Sequence, residues 1–212
     1  MATQRSVLND TARREFESPP IFDTAQRKLF FTLPLWANDI VRSLTPSNNQ
    51  VMFTLQVGYF QAAGRFFDPK NFRGKDIESV CRRLKIKRDE ATADNYHKNT
   101  RFRHQGQILS GFGVLGFSGA VEELCFRECK ELVKRQIKLY LVFGGLVSFI
   151  REHHFEIPNY FTLAAVVNKA RDGYENQIQQ ALESLLTPDH VAAVGIIKHS
   201  GVIWSDSPLI FL

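Results

Sequence analysis

Apolar residues recur at intervals of three and four from Tyr160 to Leu185, and this spacing constrains the fold more than any other feature of the sequence. Residues three and four apart lie on one face of an α-helix, whereas the side chains of a β-strand alternate between two faces. Strand-like alternation does not recur along the chain. A shorter stretch repeats the helical spacing at Ile77, Val80, Cys81 and Leu84. The sequence therefore predicts an all-α fold, a multi-helix bundle.

Capping residues predict where several helices begin and end. Asp23, followed by Gln26 three residues later, forms a capping box. Pro34 and Pro46 open two further helices because proline fits the first helical turn, and Gly64 ends the second of them. Later helices are predicted over residues 98–112, 119–135 and 138–154.

Glycines in the stretch "FGVLGFSG", residues 112–119, predict a division into two helical subdomains. Residues 1–112 would form the first and residues 113–188 the second. Residues 189–212 form an apolar tail with neither helical nor strand period, which we interpret as foreign to the fold, as when out-of-frame codons are translated. Deletion of residues 195–212 is then expected to leave the thermal stability unchanged.

Positive charge is concentrated in one region of the chain. The formal net charge is +5, and the segment from Arg65 to Arg103 alone holds twelve basic residues against six acidic ones. The positive charge of this segment therefore exceeds the net positive charge of the whole chain. Such a region suits a surface that lies against phosphates. The alternative is a solvated face that keeps a phenylalanine-rich domain soluble.

Two helices joined by a tight, charged turn would form a helix-turn-helix-like reader of double-stranded DNA in this segment. In its second helix, Phe102 and Ile108 are predicted to face inward. Lysine and arginine would hold the DNA backbone, and arginine or glutamine can also read base edges in the major groove. The predicted backbone contacts are Arg65, Lys70, Arg73, Lys75, Arg82, Arg83, Lys85, Lys87, Arg88, Lys98 and Arg101. The predicted deeper contacts, on an outward stripe and its flank, are Thr100, Arg103, His104 and Gln107.

No motif for catalysis or for a bound cofactor is found in the sequence. The metal-binding pattern HExxH, the phosphate-cradling GxxxxGK[ST] and the nucleophile pattern GxSxG are missing. Three cysteines without a CxxC pair indicate neither a zinc site nor a disulfide framework, and Cys125 and Cys129 are predicted to pack as small apolar residues. We expect a non-enzymatic protein of the reducing cytoplasm with no cofactor, no metal and no membrane contact.

Several motifs together resemble the N-terminal region of the transposases of class II replicative transposons, the Tn-three family. They are "FDTAQRKLFFTLP", then "VMFTLQVGYFQAAGRFF", which is similar to the form "LGFALQLCYLRYPGRF", and later "FIREHHFEIPNYFTLAAVVNKARDGYENQIQQALESLLTP". Between them stand single matching residues, which are Tyr96, Thr100, Arg101, His104, Ile108 and Gly111. The resemblance runs from about Arg13 to Pro188.

This resemblance implies a helical region that binds the terminal inverted repeats of a transposon. The RNase H-like part of that family, with its three metal-binding carboxylates, has no counterpart here, so no strand cleavage is expected from this chain alone. The apolar tail replaces the polar stretch usual after "LTP", which favours a truncated product. The rival hypothesis is a protein interaction module in which the stripe from Tyr160 to Leu185 pairs two copies of the chain.

Overall fold

The computed structural model describes residues 6–185, and its regular secondary structure over this range is helical. Apart from one isolated bridge between Leu115 and Phe155, no extended pairing occurs among these residues. The predicted all-α fold, a multi-helix bundle, is confirmed. Its α-helices are α1 (Asp10–Glu17), α2 (Thr24–Phe30), α3 (Leu35–Ser43), α4 (Ser47–Ala63), α5 (Gly74–Leu84), α6 (Lys98–Phe112), α7 (Ala120–Arg135), α8 (Leu139–Glu152) and α9 (Tyr160–Leu185).

The predicted capping signals set the ends of the early helices. Asp23 accepts a hydrogen bond from the Gln26 backbone N–H at 2.8 Å, and the Gln26 side chain accepts one from the Asp23 N–H at 2.9 Å. Helices α3 and α4 each begin directly after a proline, Pro34 and Pro46. Gly64 ends α4 with a φ of +69°, a left-handed conformation that costs glycine little.

Helix α4 is the centre of the N-terminal half because it is buried on every side. All residues from Val51 to Phe60 are buried, so this helix lacks the polar face of an ordinary surface helix. On one side its side chains join the cluster of Phe22, Phe31, Val51, Met52, Leu55, Tyr59, Phe67, Phe72, Ile77, Val80, Cys81, Ala91 and Tyr96. On another they join the cluster of Ala37, Val41, Leu44, Phe53, Val57, Phe60 and Ile108.

Two glycines allow neighbouring helices to approach closely. A Cβ added to Gly58 would lie 2.3 Å from Cδ1 of Phe31, which follows α2. A Cβ added to Gly111 would lie 2.6 Å from the ring of Trp36 on α3. The ring of Phe31, directly after α2, therefore packs against the bare backbone of α4. The ring of Trp36, on α3, packs in the same way against α6.

Helices α7 and α8 pack against each other and are tied to the N-terminal half by contacts between distant residues. Phe143 of α8 makes an edge contact with Phe16 of α1, with ring centroids 5.1 Å apart. The Ile157 N–H donates to the Gly64 carbonyl at 3.0 Å, and the Val7 N–H donates to the Tyr160 hydroxyl at 3.2 Å. These contacts hold α1 and the end of α4 against the α8–α9 connection.

The described residues up to Arg171 form one compact unit, and those from Asp172 onward belong to a second. Helix α9 begins in the first unit and ends in the second. The subdomain boundary that we predicted at residues 112 and 113 stays a prediction. The apolar tail, residues 189–212, lies outside the described residues. Between residues 6 and 185, no helix has both the length and the apolar character needed to cross a membrane.

Candidate nucleic-acid interface

The end of α5 presents a group of cations because its apolar face is held against α4. Ile77, Val80 and Cys81 are buried, as their spacing predicted. Lys85 closes the helix with a φ of +58°, and the Ile86 N–H donates to the Cys81 carbonyl at 3.0 Å, the bond of a Schellman cap. Cations in the last turn interact favourably with the carbonyl end of the helix dipole. After this cap Ile86 packs against the core, and Lys85, Lys87 and Arg88 are exposed.

The connection between α5 and α6 differs from the tight turn that we predicted. Residues 85–97 intervene, and they include a 3₁₀ turn at Arg88–Glu90. Helices α5 and α6 each pack on α4. The two helices are thus positioned by a shared central helix, and the basic connection follows the surface of the domain between them.

Most of the predicted backbone contacts are exposed. Arg83 donates to the Phe31 carbonyl and, at 3.0 Å, to the Thr32 hydroxyl, and Arg88 donates to the Ala91 carbonyl at 2.8 Å. Six others have no carboxylate within ion-pair distance in the described part of the chain, namely Lys70, Lys75, Arg82, Lys85, Lys87 and Lys98. Their positive charge is therefore balanced by solvent ions, which phosphates can replace.

The acidic residues of the segment do little to neutralise these cations. Asp76 is fully buried, where it accepts from Arg27 at 2.7 Å and from the Tyr59 hydroxyl at 2.6 Å, so its charge is used inside the fold. Asp68 forms a long ion pair of 3.8 Å with Arg101. Setting aside Asp76 and the inward-turned Arg65 and Arg73, the segment presents ten basic residues against five acidic ones.

A cleft of about 320 Å³ lies where α6 begins. Lys70, Lys98 and Arg101 line it together with Tyr96 and the carboxylates of Asp68 and Asp94. The first turn of α6 has no acidic residue and its N-cap, His97, makes no capping hydrogen bond. The cleft therefore has three long cationic side chains and an uncapped positive helix end against two carboxylates, a balance that favours anions.

Two predicted phosphate contacts, Arg65 and Arg73, are engaged inside the fold, which corrects their expected placement. Arg65 is only 6% exposed, and it donates to the Phe16 carbonyl at 2.8 Å with its guanidinium 4.0 Å from the centroid of the Phe16 ring. Burial lowers the pKa of Arg65 to about 10. Arg73 donates to the Pro19 and Pro20 carbonyls at 2.6 and 2.9 Å. Both arginines fix N-terminal segments to the bundle.

The prediction that His104 lies on an outward flank of α6 is wrong. His104 is fully buried; its Nδ1 and the Tyr96 hydroxyl share a hydrogen bond of 2.7 Å, and its ring contacts Phe53 edge to face. Desolvation, with a smaller contribution from Arg103, lowers the pKa of His104 to about 4. His104 thus acts as a neutral core residue.

The predicted inward placement of Phe102 is also wrong, because Phe102 is 53% exposed. The amine of Lys98 and the guanidinium of Arg101 lie 5.5 and 5.6 Å from its ring centroid. Thr100 and Gln107, which we predicted on the outward stripe, are half-buried. Seating His104 in the core rotates the helix, so Phe102 turns outward.

Gly106 is a further candidate residue of this interface that was not predicted from the sequence. It stands in the middle of α6 and is exposed, and a Cβ added there would meet no atom within 4 Å. Glycine in a helix interior costs about 1 kcal/mol relative to alanine. Because no neighbour in the fold requires a bare backbone there, the isolated glycine within a helical pattern was the signal available in the sequence.

The three cysteines are buried free thiols, as predicted for Cys125 and Cys129. Burial raises the pKa of Cys125 to about 11 and that of Cys129 to about 12. Among residues 6–185, no group of three or more His, Cys, Asp or Glu side chains is arranged to hold a metal ion.

Comparison with known proteins gives one family match. No curated protein matches the chain. Residues 7–170 match the family described as a domain of unknown function, DUF4158, and this range coincides with nearly all of the first compact unit. The chain belongs to the DUF4158 family.

Proposed function

We propose that this chain is the DNA-binding N-terminal part of a transposase, that it binds the terminal inverted repeats of a transposon, and that it cleaves no strand by itself. The observation that carries the proposal is the exposed cationic surface formed by α5, the connection after it and the start of α6. Only Arg101 among its nine basic residues has a carboxylate partner in the described part of the chain. Such a surface binds duplex DNA by releasing counterions from phosphates.

The target is suggested by the order of motifs that resembles the Tn-three family. Those motifs fall on α2, α4, α6, α8 and α9, so the resemblance extends over the scaffold as well as the basic segment. The DUF4158 match covers the same part of the chain and carries no activity with it. The surface supports the proposed binding to phosphates, and the resemblance supports the choice of transposon ends.

Titration against a duplex that carries the terminal inverted repeat tests this function. If about six of the exposed cations contact phosphates, a plot of log affinity against log salt has a slope of about −5. Affinity should exceed that for a scrambled duplex of the same length. A slope near zero, or equal affinity for both duplexes at every salt concentration, contradicts the proposal.

A second candidate function rests on the outer part of α9. Ile178, Leu182 and Leu185 are spaced by four and three residues and are 43, 56 and 78% exposed. An apolar stripe of this kind can form a seam between two helices. If it pairs two copies, light scattering shows a dimer that the double change Ile178→Ala and Leu182→Ala converts to a monomer without loss of helical content.

A further inference from the structure

The helix α6 has an unusual charge, since none of its residues from Lys98 to Phe112 is acidic. It carries Lys98, Arg101 and Arg103 in its first two turns. Lys98 and Arg103 are exposed, and the side chain of Arg101 is 26% exposed. An entire helix without a carboxylate has little to repel a polyanion from its open face.

The open face of α6 is a single stripe. At about 100° per residue, five of its seven exposed residues fall within about 100° of arc, and Lys98 and Gly111 lie outside it. His104 and Ile108, which are fully buried, lie on the opposite side. The stripe consists of Asn99, Phe102, Arg103, Gly106 and Ser110.

The chemistry of this stripe matches the edges of base pairs in the major groove. Asn99 presents an amide, which pairs with adenine, and Arg103 presents a guanidinium, which pairs with guanine. Phe102 offers an apolar ring of the kind that contacts the methyl group of thymine. Lys98 and Arg101, whose charged groups lie 5.5 and 5.6 Å from the centroid of that ring, are available for the adjacent phosphates.

The small residues of the stripe fit the dimensions of a groove. The major groove is about 12 Å wide, close to the diameter of a helix with its side chains. Gly106 has no side chain and Ser110 a short one, so the second half of the stripe projects little from the helix. No neighbour within the fold explains the bare backbone at Gly106. Glycine is favoured at positions where the backbone lies close to a ligand.

We propose that α6 enters the major groove of a DNA duplex with Asn99, Phe102, Arg103, Gly106 and Ser110 facing the base pairs. This assignment rests on the proposed function and specifies the element that reads sequence. It replaces the stripe of Thr100, His104 and Gln107 that the sequence predicted. A duplex is preferred over a protein partner because the stripe pairs an exposed ring with cations and lacks carboxylates.

Glycine and phenylalanine variants of the full chain test this assignment. Gly106→Leu restores a strong helix former but fills the stripe, so its affinity for the inverted-repeat duplex should fall by about tenfold while its thermal midpoint is unchanged or higher. Phe102→Ala should lower that affinity by a similar factor. Both variants should bind a scrambled duplex nearly as well as the wild type, because nonspecific binding depends on phosphates.

Matched controls lie elsewhere on the molecule. Gly144 in α8 is also exposed, with nothing within 4 Å of a Cβ, and Phe161 in α9 is also an exposed ring with a nearby cation, Arg13. Gly144→Leu and Phe161→Ala should leave the affinity for the inverted-repeat duplex within about twofold of the wild type.

The outcomes separate the two proposals. Wild-type binding with a steep salt slope, together with equal affinity for wild type and Gly106→Leu, overturns the assignment of α6 and leaves the proposed function in place. No salt-dependent binding by the wild type to either duplex overturns both. A change in the oligomeric state of Phe102→Ala or Gly106→Leu, with unchanged affinity for DNA, assigns the stripe to a protein contact and also overturns the proposal.

Discussion

At the scale of single residues, the hydrogen-bonded pair of Tyr96 and His104 is the most unusual part of the core. Both rings are buried, and the Nε2 atom of His104 has no hydrogen-bond partner among the described residues. A buried polar atom without a partner costs about 1–3 kcal/mol, and an imidazolium in the same place costs more. His104 is therefore compatible with the fold only as the neutral ring.

This burial predicts a loss of stability in acid. The pKa of His104 is about 4 in the folded protein, against about 6.5 for an exposed histidine. Between these values the unfolded chain binds a proton that the folded chain does not, so stability falls as the pH drops below 6.5 and this effect levels off near pH 4. From pH 7 to pH 5, we expect urea denaturation to report a loss of about 2 kcal/mol from this residue.

The variant His104→Gln provides the comparison for this experiment, since glutamine does not titrate. It should be less stable at pH 7, and its stability should change less between pH 7 and pH 5 by about the same 2 kcal/mol. Parallel pH dependences for the two proteins would show that His104 is protonated equally in both states.

The reversal of Phe102 and His104 shows where sequence reading fails at this scale. Hydrophobic periodicity treats histidine as polar and phenylalanine as apolar, so it assigned the faces of α6 accordingly. The deciding contacts are Tyr96 and Phe53, which belong to a different loop and a different helix. A partner that fixes the orientation of a histidine is tertiary information, which a pattern within one helix does not contain.

At the scale of secondary-structure elements, a buried carboxylate joins α2, α4 and α5. Asp76 of α5 accepts from Arg27 of α2 and from Tyr59 of α4, and the Tyr59 hydroxyl in turn accepts from the Arg73 N–H at 3.3 Å. Desolvation and the carboxylate of Asp76 raise the pKa of Tyr59 above its usual value, so this hydroxyl stays protonated and donates. The ion pair between Asp76 and Arg27 thus holds α5, which carries part of the cationic surface, in place.

Substitution of Asp76 by asparagine should destabilise the fold by about 3 kcal/mol, since it leaves Arg27, whose side chain is only 17% exposed, without its charge partner. Thermal or urea unfolding measures this loss. Asp89→Asn is the control, because Asp89 is exposed and unpaired among the described residues, and it should change stability by less than about 0.5 kcal/mol. Equal stability of Asp76→Asn and the wild type would contradict a structural role for the pair.

Helix ends were predictable because their causes are local. The capping box at Asp23, the prolines before α3 and α4, and Gly64 each act within a few residues, and the structure places these ends where the sequence predicted them, within two residues. The length of the connection between α5 and α6 was not predictable in the same way. Its path depends on Ala91 and Tyr96, which join the core beside α4.

At the scale of the whole molecule, the basic residues divide into those that hold the fold together and those that face solvent. Arg65 links the end of α4 to α1, while Arg82 lies in the last turn of α5 with no carboxylate partner in the described part of the chain. Both arginines have the same formal charge, so a count of charged residues does not distinguish them. Arg65 differs because the Phe16 carbonyl and the rings of Phe16 and Phe67 surround its guanidinium.

This division predicts opposite effects of two alanine substitutions. Arg65→Ala should lower stability by about 2 kcal/mol, because it removes a buried hydrogen bond and cation–π contacts, and should leave the salt slope of DNA binding unchanged. Arg82→Ala should leave the thermal midpoint unchanged and make the slope less steep by about one unit. Each variant is the control for the other, and a shallower slope for Arg65→Ala would contradict the assignment.

The buried cysteines allow local opening of the fold to be measured without an added label. Cys81 lies in the core beneath the cationic surface, whereas Cys125 and Cys129 lie in α7. A thiol reagent in solution modifies each sulfur only when its surroundings open, so the rates of modification measure the opening free energies of two separate regions in an unlabelled chain. Bound DNA that clamps α5 would slow labelling at Cys81 more than at the α7 thiols.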